Sequence, residues 1–275
     1  MAAPDRPALR MVWPALGLGL LAGAWALVHA IAGPFVLPSL ADTGAALGRI
    51  VASGAALTAL AVTLVHAVGG AGLGALVGFV LGLAGGAARP IGGLLAAPVT
   101  AILGVPPVAW IVLAFLWFGT GLVAPLFTVT ITAFPIVFAA TLQGVRARDP
   151  GLLEMATVFR LPARARFFRL LLPELAVHVA PALSTAFAIS WKVALTAEVL
   201  GDGSGIGGAF ATARAHLDLA EAMAWIVLVV IFLLVSDGLV LGPLRRWIAG
   251  HREGPAKQDV APPTCVGIGA IREEI

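Results

Sequence analysis

Charge is what this chain has least of. Only 11% of its 275 residues are Asp, Glu, Lys or Arg, against about 25% in a soluble domain that must cover its surface with them. With 60% hydrophobic residues and a mean hydropathy of +1.02, the composition excludes a water-soluble globule and belongs in lipid. Lysine is almost missing: Lys192 and Lys257 are the only two. Neither follows a G-x-x-x-x-G-K-[ST] run, so the chain carries no phosphate loop of its own. The single cysteine, Cys265, lies in a polar C-terminal stretch, which excludes a disulfide, a zinc cage and a Cys-x-x-Cys redox motif. No convergent acid, base or metal set is found, so a membrane-embedded enzyme has nothing to work with.

What is present is a series of apolar runs interrupted by the 33 Gly and 19 Pro, residues tolerated in membrane helices because neighbouring helices satisfy the backbone groups they free. Crossing a hydrocarbon core roughly 30 Å thick takes about 20 apolar residues. Such runs occur at about 11–32, 60–84, 91–118, 122–144, 175–198 and 222–243. The expected fold is therefore an all-α integral membrane protein of six spans. The first run follows Arg6 and Arg10 as a signal peptide would, but it is full span length and lacks a small-residue cleavage site, so it reads as a retained anchor.

Arginine placement gives the topology, since positive charge accumulates in short cytoplasmic connections. Arg6, Arg10, Arg89, Arg146, Arg148, Arg160, Arg164, Arg166, Arg169, Arg245, Arg246, Arg252, Lys257 and Arg272 fall on one side, and only Arg49 and Arg214 on the other. Both termini are expected in the cytoplasm, with Pro38–Ser53 and Gly201–Glu221 facing outward. A pI near 10 thus reflects topology, and no nucleic-acid partner is expected. Residues 1–252 read as one transmembrane domain and 253–275 as a disordered cytoplasmic tail without apolar periodicity.

In the second span Gly70, Gly74, Gly78 and Gly82 recur every four residues, which places them on one face where a neighbouring backbone can approach. They do not match the G-x-G-x-x-G dinucleotide spacing, and no strand precedes them. No internal duplication of the kind found in many secondary transporters is visible.

Between the fourth and fifth spans runs a connection of about 30 residues, 143–174, far longer than helix packing requires. Asp149 is placed to cap a short helix with Pro150 at its first position. Leu152, Met155, Ala156 and Phe159 follow at i, i+3, i+4 and i+7, forming one apolar stripe, and Leu161-Pro162 ends it. A second basic stretch with Phe167 and Phe168 closes on Leu172-Pro173. Such a segment either lies on the inner leaflet with its arginines at anionic headgroups or displays an apolar face to a groove on a partner.

The spacing resembles the cytoplasmic motif of binding-protein-dependent ABC importer permeases: Glu-Ala-Ala, three residues, Gly, nine residues, Ile, one residue, Leu-Pro. Glu154, Met155 and Ala156 fill the triplet, Arg160 takes the glycine place, Leu170 the isoleucine place, and Leu172-Pro173 the close. Leu37-Pro38-Ser39, Pro106 to Gly119, Phe134-Pro135, Gly144 to Asp149, and Glu198 with Ser204-Gly-Ile-Gly207 are similar to permeases of the nitrate, sulfonate, taurine and bicarbonate importer group and to relatives serving thiamine precursors. The resemblance implies an inner-membrane permease of a bacterium, paired with a second copy and docked on two ATPase subunits through Glu154, Met155, Ala156, Phe159, Arg160, Leu161, Pro162, Leu172 and Pro173. An extracytoplasmic solute-binding protein would deliver a small solute, and alternating access would be driven by ATP and Mg held on the ATPase rather than on this chain. Arg160 in the glycine place removes a flexible hinge.

Charges expected at membrane depth are Lys192, Glu198 and Asp237, and intramembrane charge points to function. Lys192 is expected about 9 Å and Asp237 about 22 Å below the outer ends of their helices, too far apart to pair. Lys192 either snorkels outward or lines the pathway and attracts an anion; Glu198 caps or orients the external loop. Trp110 and Trp117, with Lys192 and Glu198, are the candidates for the pathway or gate, the two tryptophans against the commoner core or interfacial placement of aromatics. His66 and His178 read as packed side chains, and no metal site is expected. The rival reading is an ion-gradient-driven secondary transporter, which would need polar coupling sites on broken helices near the midplane.

Overall fold

The computed structural model describes residues 7–148, 150–201 and 203–236, with side chains from residue 16 onward except that of Leu153. Every regular element among them is helical. Helix α1 (Pro7–Ala32) stops at Gly33, whose φ of +81° is a left-handed turn that glycine reaches without cost. The Trp25 indole N–H donates to the Pro38 carbonyl at 2.9 Å and the His29 ring binds the Leu37 carbonyl at 2.7 Å, so the turn after α1 is pinned to it. Ser39 caps α2 (Leu40–Ala52) by accepting from the Asp42 N–H at 3.0 Å, and Gly54 separates α2 from α3 (Ala55–Leu64).

Helix α3 continues through a π turn, Val65–Gly69, into α4 (Gly70–Ala87). Next come α5 (Arg89–Gly104) and α6 (Pro107–Phe118), joined at Val105-Pro106 with a bend of 97°. Proline lacks the N–H and disfavours helix at the residue before it. The apolar run expected to span the membrane over 91–118 is thus a bent pair of helices. Helix α7 (Val123–Arg146), short helices α8 (Pro150–Val158) and α9 (Ala163–Ala165), a π turn over Arg166–Leu171, and the long α10 (Leu172–Leu200) follow. Helices α11 (Gly205–Ala215) and α12 (Leu219–Ser236) complete the described chain.

Segments within 55–87, 123–146, 163–215 and 219–236 hold four helices long and apolar enough to cross a membrane, and the bent α5–α6 pair makes a fifth if it counts as one span. The described apolar part of α1, Leu16–Ala32, is shorter. The chain is thus a multi-pass all-α protein with four to five candidate spans; the count of six and the cytoplasmic termini remain expectations from arginine placement. Asp149, Asp237, Arg6, the end of the sixth run, Arg245, Arg246, Arg252, Lys257, Cys265, Arg272 and the tail 253–275 lie outside the described residues.

Helix α7 is the axis of the bundle, with α4 against one side and α10 against the other. The α4–α7 contact is made by backbone. A Cβ added at Gly70 would lie 2.5 Å from the Val129 Cβ, one at Gly74 would lie 2.9 Å from the Thr130 carbonyl oxygen, and one at Gly82 would lie 2.6 Å from the Thr141 Cβ. At Gly78 it would strike the Phe134 carbonyl. The seam runs one step further than the four-residue spacing indicated, because a Cβ at Gly86 would strike Val145. Without a hydrophobic drive between helices in lipid, such close approach supplies the dispersion contacts that hold the pair. Gly72, one step off the seam, has open space around it.

Gly78→Ala is expected to destabilise the protein by about 1–3 kcal/mol through overpacking, read as a lower melting temperature of the purified chain in detergent. Gly72→Ala should leave it unchanged or raise it slightly.

Candidate functional site

The connection between α7 and α10 folds into a braced hook. Helix α8 ends in a reciprocal pair of backbone bonds: Leu161 N–H donates to the Ala156 carbonyl at 3.0 Å and Arg160 N–H to the Thr157 carbonyl at 3.1 Å. That pattern places its C′ residue in the left-handed region, and Arg160 sits there with φ +48°. The turn for which glycine is the unstrained choice is therefore retained with arginine in it. Pro162 starts α9. The Arg166 guanidinium then reaches back, its Nε donating to the Leu161 carbonyl at 2.9 Å and its Nη2 to the Ala156 carbonyl at 3.3 Å, tying the end of α8 to the turn that leads into α10.

The apolar stripe expected on α8 divides. Ala156 is buried and Leu152 half-buried, whereas Met155 and Phe159 stand out at 47% and 71% exposure and Val158, outside that stripe, at 79%. The free apolar face is thus Met155, Val158 and Phe159, with Glu154 exposed beside it and Leu161 half-buried. Leu172 and Pro173 form the first turn of α10, both exposed.

At the far end of α10 a carboxylate is enclosed. Glu198 is 1% exposed and accepts from the Thr63 hydroxyl at 2.9 Å, from the Gly207 N–H at 3.0 Å and from His66 Nδ1 at 2.8 Å. A carboxylate only accepts, so Nδ1 carries the proton and the bond orients the imidazole. Thr63 in turn accepts from the Ile206 N–H at 2.9 Å. Two N–H groups of the first turn of α11, open at any helix start, are thereby satisfied by side chains from α3 and α10. Gly205 permits this by φ +69° and by having no side chain, since a Cβ there would lie 2.5 Å from both Glu198 carboxylate oxygens. The partners of Glu198 escape a sequence reading because they are 135 and 132 residues distant; the only hint was two polar residues, Thr63 and His66, one turn apart in an apolar run.

The other sequence candidates do not join this cluster. Lys192 is exposed on a different face of α10. Trp110 and Trp117 lie on α6: Trp110 is half-buried, and Trp117 is 55% exposed with edge contacts to Phe118 and Phe127. His178 is exposed near the start of α10. Among the described residues no group of three His, Cys, Asp or Glu is arranged to hold a metal ion.

A family model described as binding-protein-dependent transport system inner membrane component matches residues 74–249, which includes α4 from Gly74 onward, the hook and the Glu198 cluster's α10–α11 side. The chain is 25% identical over 205 residues to a putative aliphatic sulfonates transport permease, SsuC, of Bacillus subtilis, covering 74% of each chain. It is 31% identical over 145 residues to the Escherichia coli protein of the same description, covering 52% of this chain and 55% of that one. It is also 24% identical over 180 residues to the bicarbonate transport system permease CmpB of Synechococcus elongatus, covering 65% and 64%. Among solved structures, the inward-facing MetNI methionine ABC transporter superposes with a TM-score of 0.53 at 16% identity, covering 68% of this chain and 93% of that one. That last likeness is one of fold.

Two substitutions test the geometry. Glu198→Ala strands three buried donors and should cost about 3–5 kcal/mol, whereas Glu198→Gln keeps an acceptor and should cost about 1–3 kcal/mol, both read as melting temperature in detergent. Arg160→Gly should relieve about 1 kcal/mol of left-handed strain, read as slower amide exchange over residues 154–161.

Proposed function

The chain belongs to the family of binding-protein-dependent transport system inner membrane components, in the group of sulfonate, nitrate and bicarbonate importer permeases, and from that premise we propose that it forms half of an ATP-driven import pathway for a small anion. As a component of such a system it works with an ATPase and a solute-binding protein, and the second half of the pathway is a second copy of the chain. ATP and Mg act on the ATPase subunits, and this chain contributes movement rather than hydrolysis.

One observation carries the reading: a short helix, fixed to its own membrane domain by Arg166, holds Met155, Val158 and Phe159 outward with no partner surface among the described residues. Three apolar side chains on one turn of helix suit the helix-in-groove mode of recognition. Bracing by the guanidinium lets a rigid push on α8 reach α10, which begins 11 residues after Leu161 at Leu172. The anion class is supported by what the relatives' descriptions name, aliphatic sulfonates, nitrate and bicarbonate.

Phe159→Asp puts a charge on the face meant for the groove while changing a side chain that is already 71% exposed. Co-expressed with ATPase subunits and solubilised in mild detergent, the wild-type chain is expected to retain an ATPase. The variant should keep its own melting temperature and lose at least about 90% of that ATPase, in line with the loss of a buried aromatic anchor. Equal retention by both proteins contradicts docking through α8.

A further inference from the structure

The outward faces of the spans are apolar, as lipid requires: Val108, Val112 and Leu116 on α6, Ile226 and Val230 on α12. Helix α10 departs from this. His178, Thr185, Lys192 and Thr196 are all exposed, and their spacings of seven, seven and four residues put them on one stripe of a 3.6-residue helix. The threonines are tolerable anywhere, because Thr185 donates to the Pro181 carbonyl at 3.0 Å and Thr196 to the Lys192 carbonyl at 2.7 Å. Lys192 is different. Its ammonium carries three donors that its own helix cannot satisfy, and among the described residues it has no acceptor.

Depth decides against lipid. Trp191, the preceding residue, packs edge-on against Phe232 at 4.7 Å between ring centroids. Lys192 itself stands eight residues, 200 minus 192, from the end of α10, or about 12 Å. A lysine stem reaches about 6 Å toward an interface, which leaves the charge short of water on a lipid-facing surface. Ionisable groups at such depth face a bundle interior or a water-filled cavity.

Resting on the importer reading above, we infer that the α10 stripe is a wall of the aqueous pathway and that Lys192 is its anion-binding residue, selecting solutes that carry a sulfonate, carboxylate or similar small oxyanion. The methylene stem and Ile189 beside it offer apolar contact to a short organic tail, while the charge raises the local concentration of anions over cations.

The test uses the full chain in membrane vesicles with Cys265→Ser, and thiol reagents of opposite charge as probes. Thr185→Cys, Ile189→Cys and Thr196→Cys place cysteines on the stripe; Val112→Cys and Val230→Cys place them on apolar faces. Stripe cysteines should react with water-soluble methanethiosulfonates at least about ten-fold faster than the two controls, because the reaction needs thiolate and water. At Thr196→Cys the rate with the anionic ethylsulfonate reagent relative to the cationic trimethylammonium reagent should fall roughly ten-fold on Lys192→Gln and recover with Lys192→Arg. Stripe cysteines no faster than the controls, or a rate ratio that Lys192→Gln leaves unmoved, overturn the inference. ATPase retention is read on the same preparations: a reactive, Lys192-dependent stripe without a bound ATPase keeps the pathway wall and removes the importer reading, whereas a bound ATPase with an unreactive stripe sinks the wall alone.

Discussion

Backbone contact along α4 and α7 is the constraint on which the rest of the molecule depends. Bilayer lipid offers no hydrophobic reward for helix association, so two helices hold together only if they approach closely enough for dispersion to accumulate. Glycines at 70, 74, 78, 82 and 86 remove the side chains that would keep α7 away. With α7 fixed from that side, its other face takes α10, where Gly144 meets Leu175 and His178. The rotation of α10 about its axis follows, and with it which residues point inward to Glu198's partners and which form the exposed stripe.

Buried polar side chains are few among the described residues. Glu198 is the case fully resolved within the chain: three donors converge on it, and through Thr63 it also organises the start of α11. The π turn at Val65–Gly69 holds His66 in that cluster, a departure from α geometry of the kind that recurs at functional positions. Lys192 is the opposite case, a charge left unanswered by the described part of the chain and for that reason directed at something outside it. Six residues apart on one helix, the two charges differ in role because they sit on different faces.

Much of this was legible in the sequence, in proportion to how local the cause was. The glycine seam could be read because backbone approach needs only a period of four, and the apolar membrane-protein class, with four to five candidate spans, because hydropathy is a local sum. The break at Val105-Pro106 was missed because hydropathy does not record direction, and a run of apolar residues looks alike whether straight or bent by 97°. The face of α8 was found but not its division: periodicity shows that Ala156 and Phe159 share a side, and only the packed segment shows that Ala156 is covered while Phe159 is free. Arg160 in the glycine place was expected to remove a hinge, and the packed segment shows that it takes up the left-handed turn glycine favours. The Glu198 cluster lay furthest from view because its members come together only when the spans pack.

The central claim is that α8 hands the work of an ATPase to this membrane domain, and direct contact is its clearest consequence. A photoreactive benzoylphenylalanine placed at position 159, in complexes assembled with the ATPase, should on illumination join the two chains into one band of summed mass. The same group at position 112, exposed on the apolar face of α6, should give little or none. No cross-link from 159 in a complex that still holds the ATPase, or equal yields from both positions, would contradict the account.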